Sequence, residues 1–120
     1  MIPFLDLHSI NHRFETKFQE VFKQFLDSGY YVLGTNVSAF EKEFADYCGT
    51  KYCVGVANGL DALSLALLAC GVERGDEVIV PTNTYIASWL AVTNIGATPI
   101  PVEPNLKTYN LDFDLIEDAI

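Results

Sequence analysis

Positive charge is scarce in this sequence: Lys and Arg together number 7 against 16 Asp and Glu, a formal net charge of −9 over 120 residues. Without a basic footprint there is nothing to hold nucleic acid or an anionic membrane, so neither is expected as a partner. Cysteine is scarce as well. Cys48, Cys53 and Cys70 make an odd set with no C-x-x-C spacing, and His8 and His12 lie far upstream of them. A disulfide framework and a metal site are therefore not expected, and the three thiols read as small buried hydrophobes in a reducing, cytoplasmic setting. Long apolar runs are missing too. The start Met1-Ile2-Pro3-Phe4-Leu5-Asp6 has no basic segment followed by an apolar one, and Leu60 to Val72 is too short to span a bilayer and carries Asp61. Neither a signal peptide nor a membrane span is expected. Two phosphate-binding signatures are also absent. No G-x-G-x-x-G occurs, which counts against a dinucleotide fold, and no G-x-x-x-x-G-K-[ST] occurs, which excludes a P-loop.

What is present is apolar periodicity, since half of the residues are hydrophobic. Phe14, Phe18, Val21, Phe22, Phe25 and Leu26 fall at helical spacing with charged residues between them, and Ser28-Gly29 ends the pattern. This stripe reads as core or as subunit interface. A Gly-bracketed loop, Gly29-Tyr30-Tyr31-Val32-Leu33-Gly34, leads into a second helix with the face Val37, Phe40, Phe44 and Tyr47. Ser38 and Glu41 have capping-box spacing at its start, Thr35 and Asn36 are competing caps, and Gly49 closes it.

From there the pattern alternates. Cys53–Val56 reads as a buried strand, Leu60–Cys70 as a helix closed by Gly71, and Glu77–Val80 as a strand after the turn Arg74-Gly75-Asp76. Thr84–Ile95 reads as a helix closed by Gly96, and Thr98–Val102 as a strand whose Pro99 and Pro101 suit a sheet edge. Asp112 is expected to open a last helix. Strands alternating with helices predict an α/β fold, a mostly parallel sheet with flanking helices, organised as N-terminal helices and loop over 1–50 and alternating β/α over 51–120. Three strands are few for such a sheet, so the chain reads as the front part of a larger fold, incomplete by itself.

In an open parallel sheet, ligands sit beyond the carboxyl ends of the strands. Two loops leave such ends here. At Ala57-Asn58-Gly59-Leu60 a strand-like run turns through Gly directly into a helix N-terminus, where free backbone N–H groups and the helix dipole can hold a phosphate without Lys or Arg. An ordinary βα turn with no ligand would look the same. Asp61, in the first turn, would repel a phosphate if it pointed inward, and a capping or water-facing role suits it better. The second loop, Pro81-Thr82-Asn83-Thr84-Tyr85, offers the ring of Tyr85, either as a stacking platform for a flat heteroaromatic ligand or as a half-buried cover on the helix start. A phosphate cradle and a stacking ring on one rim suggest a phosphorylated aromatic cofactor.

Six ordered segments carry a family resemblance: Pro3-Phe4-Leu5-Asp6-Leu7, Ser28-Gly29-Tyr30-Tyr31-Val32-Leu33-Gly34, Phe40-Glu41-Lys42-Glu43-Phe44-Ala45, Gly55-Val56-Ala57-Asn58-Gly59-Leu60-Asp61-Ala62-Leu63, Gly75-Asp76-Glu77-Val78-Ile79-Val80-Pro81 and Thr84-Tyr85-Ile86-Ala87. In this order the sequence resembles the opening of the DegT/StrS nucleotide-sugar aminotransferases, fold-type I enzymes dependent on pyridoxal 5′-phosphate. Within the family it looks most like the members that aminate C3 of a dTDP-linked 3-oxo-6-deoxyhexose. The resemblance implies that Gly59 and Leu60 give backbone amides to the cofactor phosphate and that Tyr85 stacks on its pyridine ring. Tyr30 and Tyr31 would lie near the nucleotide-sugar entrance, unless they are simply packing residues in a turn. It also implies a homodimer, an amino donor such as glutamate, and a place in deoxysugar or polysaccharide biosynthesis. The family's Schiff-base Lys and the acidic partner of its pyridine nitrogen match no position in 1–120, so no catalytic residue is assigned and these residues alone are expected to be inactive. A non-catalytic regulatory relative on the same fold is the alternative, and a nucleotide-dependent oxidoreductase is a more distant one.

Overall fold

The computed structural model describes residues 2–120, and its contacts divide the chain into two compact units, Met1–Gly55 and Val56–Ile120. The first is helical. Helix α1 (Leu7–His12) is opened by Asp6, whose carboxylate accepts the Ser9 N–H at 3.0 Å and the Ser9 hydroxyl at 2.6 Å. Helix α2 (Glu15–Ser28) follows the aromatic stripe and stops at Gly29, whose φ of 63° places it in the left-handed region where a Cβ is penalised. Helix α3 spans Thr35–Cys48 and ends in the same way at Gly49.

Three expectations for this unit need correction. The capping box is not formed: Gly34 occupies the N-cap of α3 with no side-chain bond, and Glu41 instead accepts the Gly55 N–H through Oε1 at 2.7 Å. Cys53–Val56 is not a buried strand, because no strand pairs with it among the described residues and Val54 is 77% exposed. An extended run becomes a strand only when a neighbour completes its ladder. Buried cysteines are likewise not found, since Cys48 and Cys70 are exposed and Cys53 is half-buried. Within Met1–Gly55 only Ala45 is buried among the described residues, and the Phe stripe of α2 finds no core there: Phe14, Phe18 and Phe22 are 47%, 57% and 60% exposed.

The second unit alternates as expected. Helix α4 (Gly59–Ala69) leads to strand β1 (Glu77–Pro81), helix α5 (Ile86–Asn94) and strand β2 (Thr98–Val102). The strands pair in parallel, from Glu77 opposite Thr98 to Pro81 opposite Val102. Thr98 donates its N–H to the Asp76 carbonyl at 2.8 Å. Alternation along the strand then turns the nitrogens of Pro99 and Pro101 away from β1, so neither proline breaks the ladder. Val80, Val92 and Ala97 form the buried centre, with Leu67, Val78 and Trp89 packed against it. At the far end Asp112 does open a turn, accepting the Asp114 N–H at 3.2 Å, but the result is a pair of 3-10 turns, Phe113–Leu115 and Glu117–Ala119, and not an α-helix.

Candidate functional site

Helix α4 begins with a side-chain cap that leaves its first two N–H groups open. Asn58, extended at φ −162° and ψ 173°, is the cap, and its Oδ1 accepts the Asp61 N–H at 2.9 Å. Its carbonyl accepts the Ala62 N–H at 3.1 Å. The N–H groups of Gly59 and Leu60 lie between these bonds and have no acceptor among the described residues. They are two donors at the positive end of a helix. Asp61 does not undermine them, because its Oδ2 takes a hydrogen bond from the Asn58 side-chain amide at 3.0 Å. The carboxylate is thereby engaged sideways in the cap. Sequence reasoning passed over Asn58, although an Asn directly before an Ala/Leu helix with an acid three residues later is a cap signature.

The second loop leaves the carboxyl end of β1 and is tied down along its length. Thr82 donates its N–H to the Val102 carbonyl at 3.0 Å and its hydroxyl to Glu103 Oε2 at 2.9 Å. Asn83 Nδ2 donates to the Tyr109 carbonyl at 3.0 Å. The hydroxyls of Thr84 and Ser88 share a hydrogen bond of 2.8 Å across the start of α5. Tyr85 follows and is 79% exposed, so its ring is not a half-buried cover on the helix start.

Gly59, Leu60 and Tyr85 line one pocket of about 770 Å³, together with Asn58, Leu63, Ile86, Ala87, Ser88 and Leu90. The lining is mostly apolar with few polar groups, the composition expected of a site for a small, largely apolar ligand. A phosphorylated pyridine fits the donors present: unpaired amides for the phosphate and an open aromatic face for the ring. No lysine lines this pocket. Lys23 and Lys42 pair with Asp27 and Asp46 at 2.6 Å, Lys51 lies over the Tyr52 ring at 5.0 Å, and Lys17 and Lys107 are exposed.

Tyr30 and Tyr31 line a different cleft, of about 720 Å³, formed within the first unit by the end of α2 and the start of α3. Tyr31 has a packing role there: its hydroxyl donates to the Leu26 carbonyl at 3.0 Å and its ring centre lies 5.0 Å from that of Phe25. Tyr30 stays 66% exposed beside Leu33, whose φ of 51° is left-handed.

The sequence profile of the DegT/DnrJ/EryC1/StrS aminotransferases matches residues 12–120. The chain belongs to this family. It is 57% identical over 120 residues to the dTDP-3-amino-3,6-dideoxy-alpha-D-galactopyranose transaminase of Aneurinibacillus thermoaerophilus, covering 100% of this chain and 33% of that protein. It is 49% identical over 119 residues to the erythromycin biosynthesis sensory transduction protein EryC1 of Saccharopolyspora erythraea, covering 99% of this chain and 32% of that protein. Among solved structures, NtdA from Bacillus subtilis with bound cofactor PMP superposes with a TM-score of 0.95 at 33% identity, covering 100% of this chain and 28% of that one. The chain thus spans about a third of the length of the curated relatives it matches. Family membership agrees with the α/β reading, in which the described residues are part of a fold-type I aminotransferase domain.

Proposed function

We propose that the full-length protein is a pyridoxal-phosphate-dependent aminotransferase acting on a nucleotide-linked keto sugar, with C3 of a dTDP-3-oxo-6-deoxyhexose as the acceptor and glutamate as the amino donor. The observation that carries the cofactor part is the pocket in which two unpaired helix-start amides and an exposed aromatic ring lie together. The Gly59 and Leu60 amides hold the phosphate, the Tyr85 ring stacks on the pyridine, and Leu63 and Leu90 add apolar contact. Asn58 keeps the Asp61 carboxylate turned into the cap. When bound, the cofactor supplies the electron sink for exchange of the amino group. The sugar assignment rests on likeness to the Aneurinibacillus transaminase. In this reading Tyr30 and Tyr31 serve the nucleotide-sugar entrance, Tyr31 by fixing the loop and Tyr30 by its exposed ring.

The same reading makes the protein a cytoplasmic homodimer engaged in deoxysugar biosynthesis. Support for self-association is the apolar face of α2, which finds no core within its unit. No helix among the described residues is long and apolar enough to cross a membrane.

The decisive experiment incubates the full-length protein with cofactor, glutamate and dTDP-3-oxo-6-deoxyhexose and follows the sugar nucleotide by mass spectrometry. Conversion of the ketone to an amine is expected. A second reading, that of a sensory or regulatory protein on the same fold, is favoured by likeness to the protein named EryC1. It predicts cofactor binding without turnover and no borohydride-reducible lysine adduct.

A further inference from the structure

Tyr85 ends a loop that enters α5 without a side-chain cap. Tyr85 is the N-cap of α5 but makes no side-chain cap bond, and its own ring is exposed. Thr84 is held locally, by the Ser88 hydroxyl at 2.8 Å, whereas the side chains of Thr82 and Asn83 are held from more than twenty positions downstream. Asn83 Nδ2 donates to the Tyr109 carbonyl at 3.0 Å, and the Thr82 hydroxyl donates to Glu103 Oε2 at 2.9 Å.

The receiving segment is itself a closed loop. Pro104 and Leu111 form an antiparallel bridge, Asn105 donates its N–H to the Asn110 carbonyl at 2.8 Å, and Tyr109 donates its N–H to the Asn105 carbonyl at 2.8 Å. The Asn105 side chain is bound at both ends, its Oδ1 to the Lys107 N–H at 3.0 Å and its Nδ2 to Asp112 Oδ2 at 3.2 Å. Tyr109 is held with φ at 57°, a left-handed conformation uncommon for a side-chain-bearing residue, and its carbonyl is the acceptor for Asn83 Nδ2.

We propose that Asn83, seconded by Thr82, is a positioning residue for the cofactor ring: the 103–112 loop holds the Asn83 side chain, two residues before Tyr85, and so fixes the face that Tyr85 offers. This rests on the cofactor pocket proposed above. Asn83 does not line the pocket, so its effect passes through Tyr85. A direct ligand would act on affinity by itself, whereas a positioning residue acts only while the ring it positions is present.

A double-mutant cycle on the full-length protein tests this, with Asn83→Ala, Tyr85→Leu and both together, read by calorimetric titration with pyridoxamine 5′-phosphate and by the induced circular dichroism of the bound ligand. Asn83→Ala is expected to weaken binding roughly fivefold and to reduce the induced signal, and to do neither once Tyr85 is Leu. Should Asn83→Ala not fold, Thr82→Val removes the hydroxyl bond at nearly constant shape and is expected to show the same dependence on Tyr85. An equal loss in both backgrounds, or no loss in either, overturns the positioning role. If the unmodified full-length protein takes up no pyridoxamine 5′-phosphate, the cofactor reading fails first and the positioning role fails with it.

Discussion

Gly59 allows the phosphate cradle to be tested one hydrogen atom at a time. Proline at this position removes the backbone N–H while leaving the helix intact, because Gly59 is the first helical residue, where proline's missing donor has no partner in the helix and its fixed φ is already suitable. The residue before a proline must be extended, and Asn58 already is, at φ −162° and ψ 173°. A Cβ added at Gly59 meets nothing within 4 Å. Gly59→Ala is therefore the matched control, keeping the N–H while adding the carbon. Both variants are expected to hold or raise stability, by about 0.5–1 kcal/mol, through lower entropy of the unfolded chain. Their affinities should part. A hydrogen bond to a charged acceptor is worth about 1.5–3 kcal/mol, so pyridoxamine 5′-phosphate should bind Gly59→Pro about 10- to 150-fold more weakly than Gly59→Ala. Calorimetric titration of the full-length protein, with thermal melts of both variants, reads both quantities. Equal affinity in the two variants at unchanged melting temperature would refute the claim that this amide holds the phosphate.

Further expectations concern the cap, the core and the acid behaviour of α1. Asn58→Ala removes both bonds to Asp61 and should cost about 1 kcal/mol in a denaturant titration, whereas Asn58→Ser keeps a side-chain acceptor for the Asp61 N–H and should retain most of the stability. Val92, 2% exposed and packed in the centre with Val80 and Ala97, should cost about 2–3 kcal/mol on truncation to Ala, seen as a lower urea midpoint at constant slope. The Asp6 carboxyl is held below its ordinary 3.8, first by the Ser9 hydroxyl and then by the Ser9 N–H. A depressed carboxyl contributes stability that is complete above its ordinary value and disappears as pH falls through the lower folded value. The protection factor of the Ser9 amide, its intrinsic exchange rate at each pH divided by the rate measured there, should therefore hold above about pH 5 and fall as pH drops through 4 and below; a protection factor that does not change on acidification would contradict the capping role.

Elements whose signal is local were legible in the sequence. The bounds of α2, α4 and α5 follow from apolar spacing and from the glycines after them, and β2 spans the expected Thr98–Val102. What escaped depends on partners distant in sequence. Cys53–Val56 carries the composition of a strand, but a strand is a property of two segments, and none pairs with it among the described residues. Glu41 has capping-box spacing from Ser38, yet the Gly55 N–H, fourteen residues away, claims its carboxylate. The short helix α1 gave no apolar period to read, although Asp6 and Ser9 spell out its cap. At the site, Gly59, Leu60 and Tyr85 do line one pocket, each at the start of a helix, although only Tyr85 follows a paired strand. The grip of Asn83 on Tyr109 was not legible, since nothing near Asn83 marks its partner.

The central claim is that one pocket on the second unit holds the phosphate and ring of the cofactor. A crystal structure of the full-length protein with pyridoxamine 5′-phosphate tests it most directly. The phosphate oxygens should lie within hydrogen-bond distance of the Gly59 and Leu60 amides, with the pyridine stacked on Tyr85. A phosphate bound elsewhere in the protein, with those two amides still open to solvent, would contradict the account.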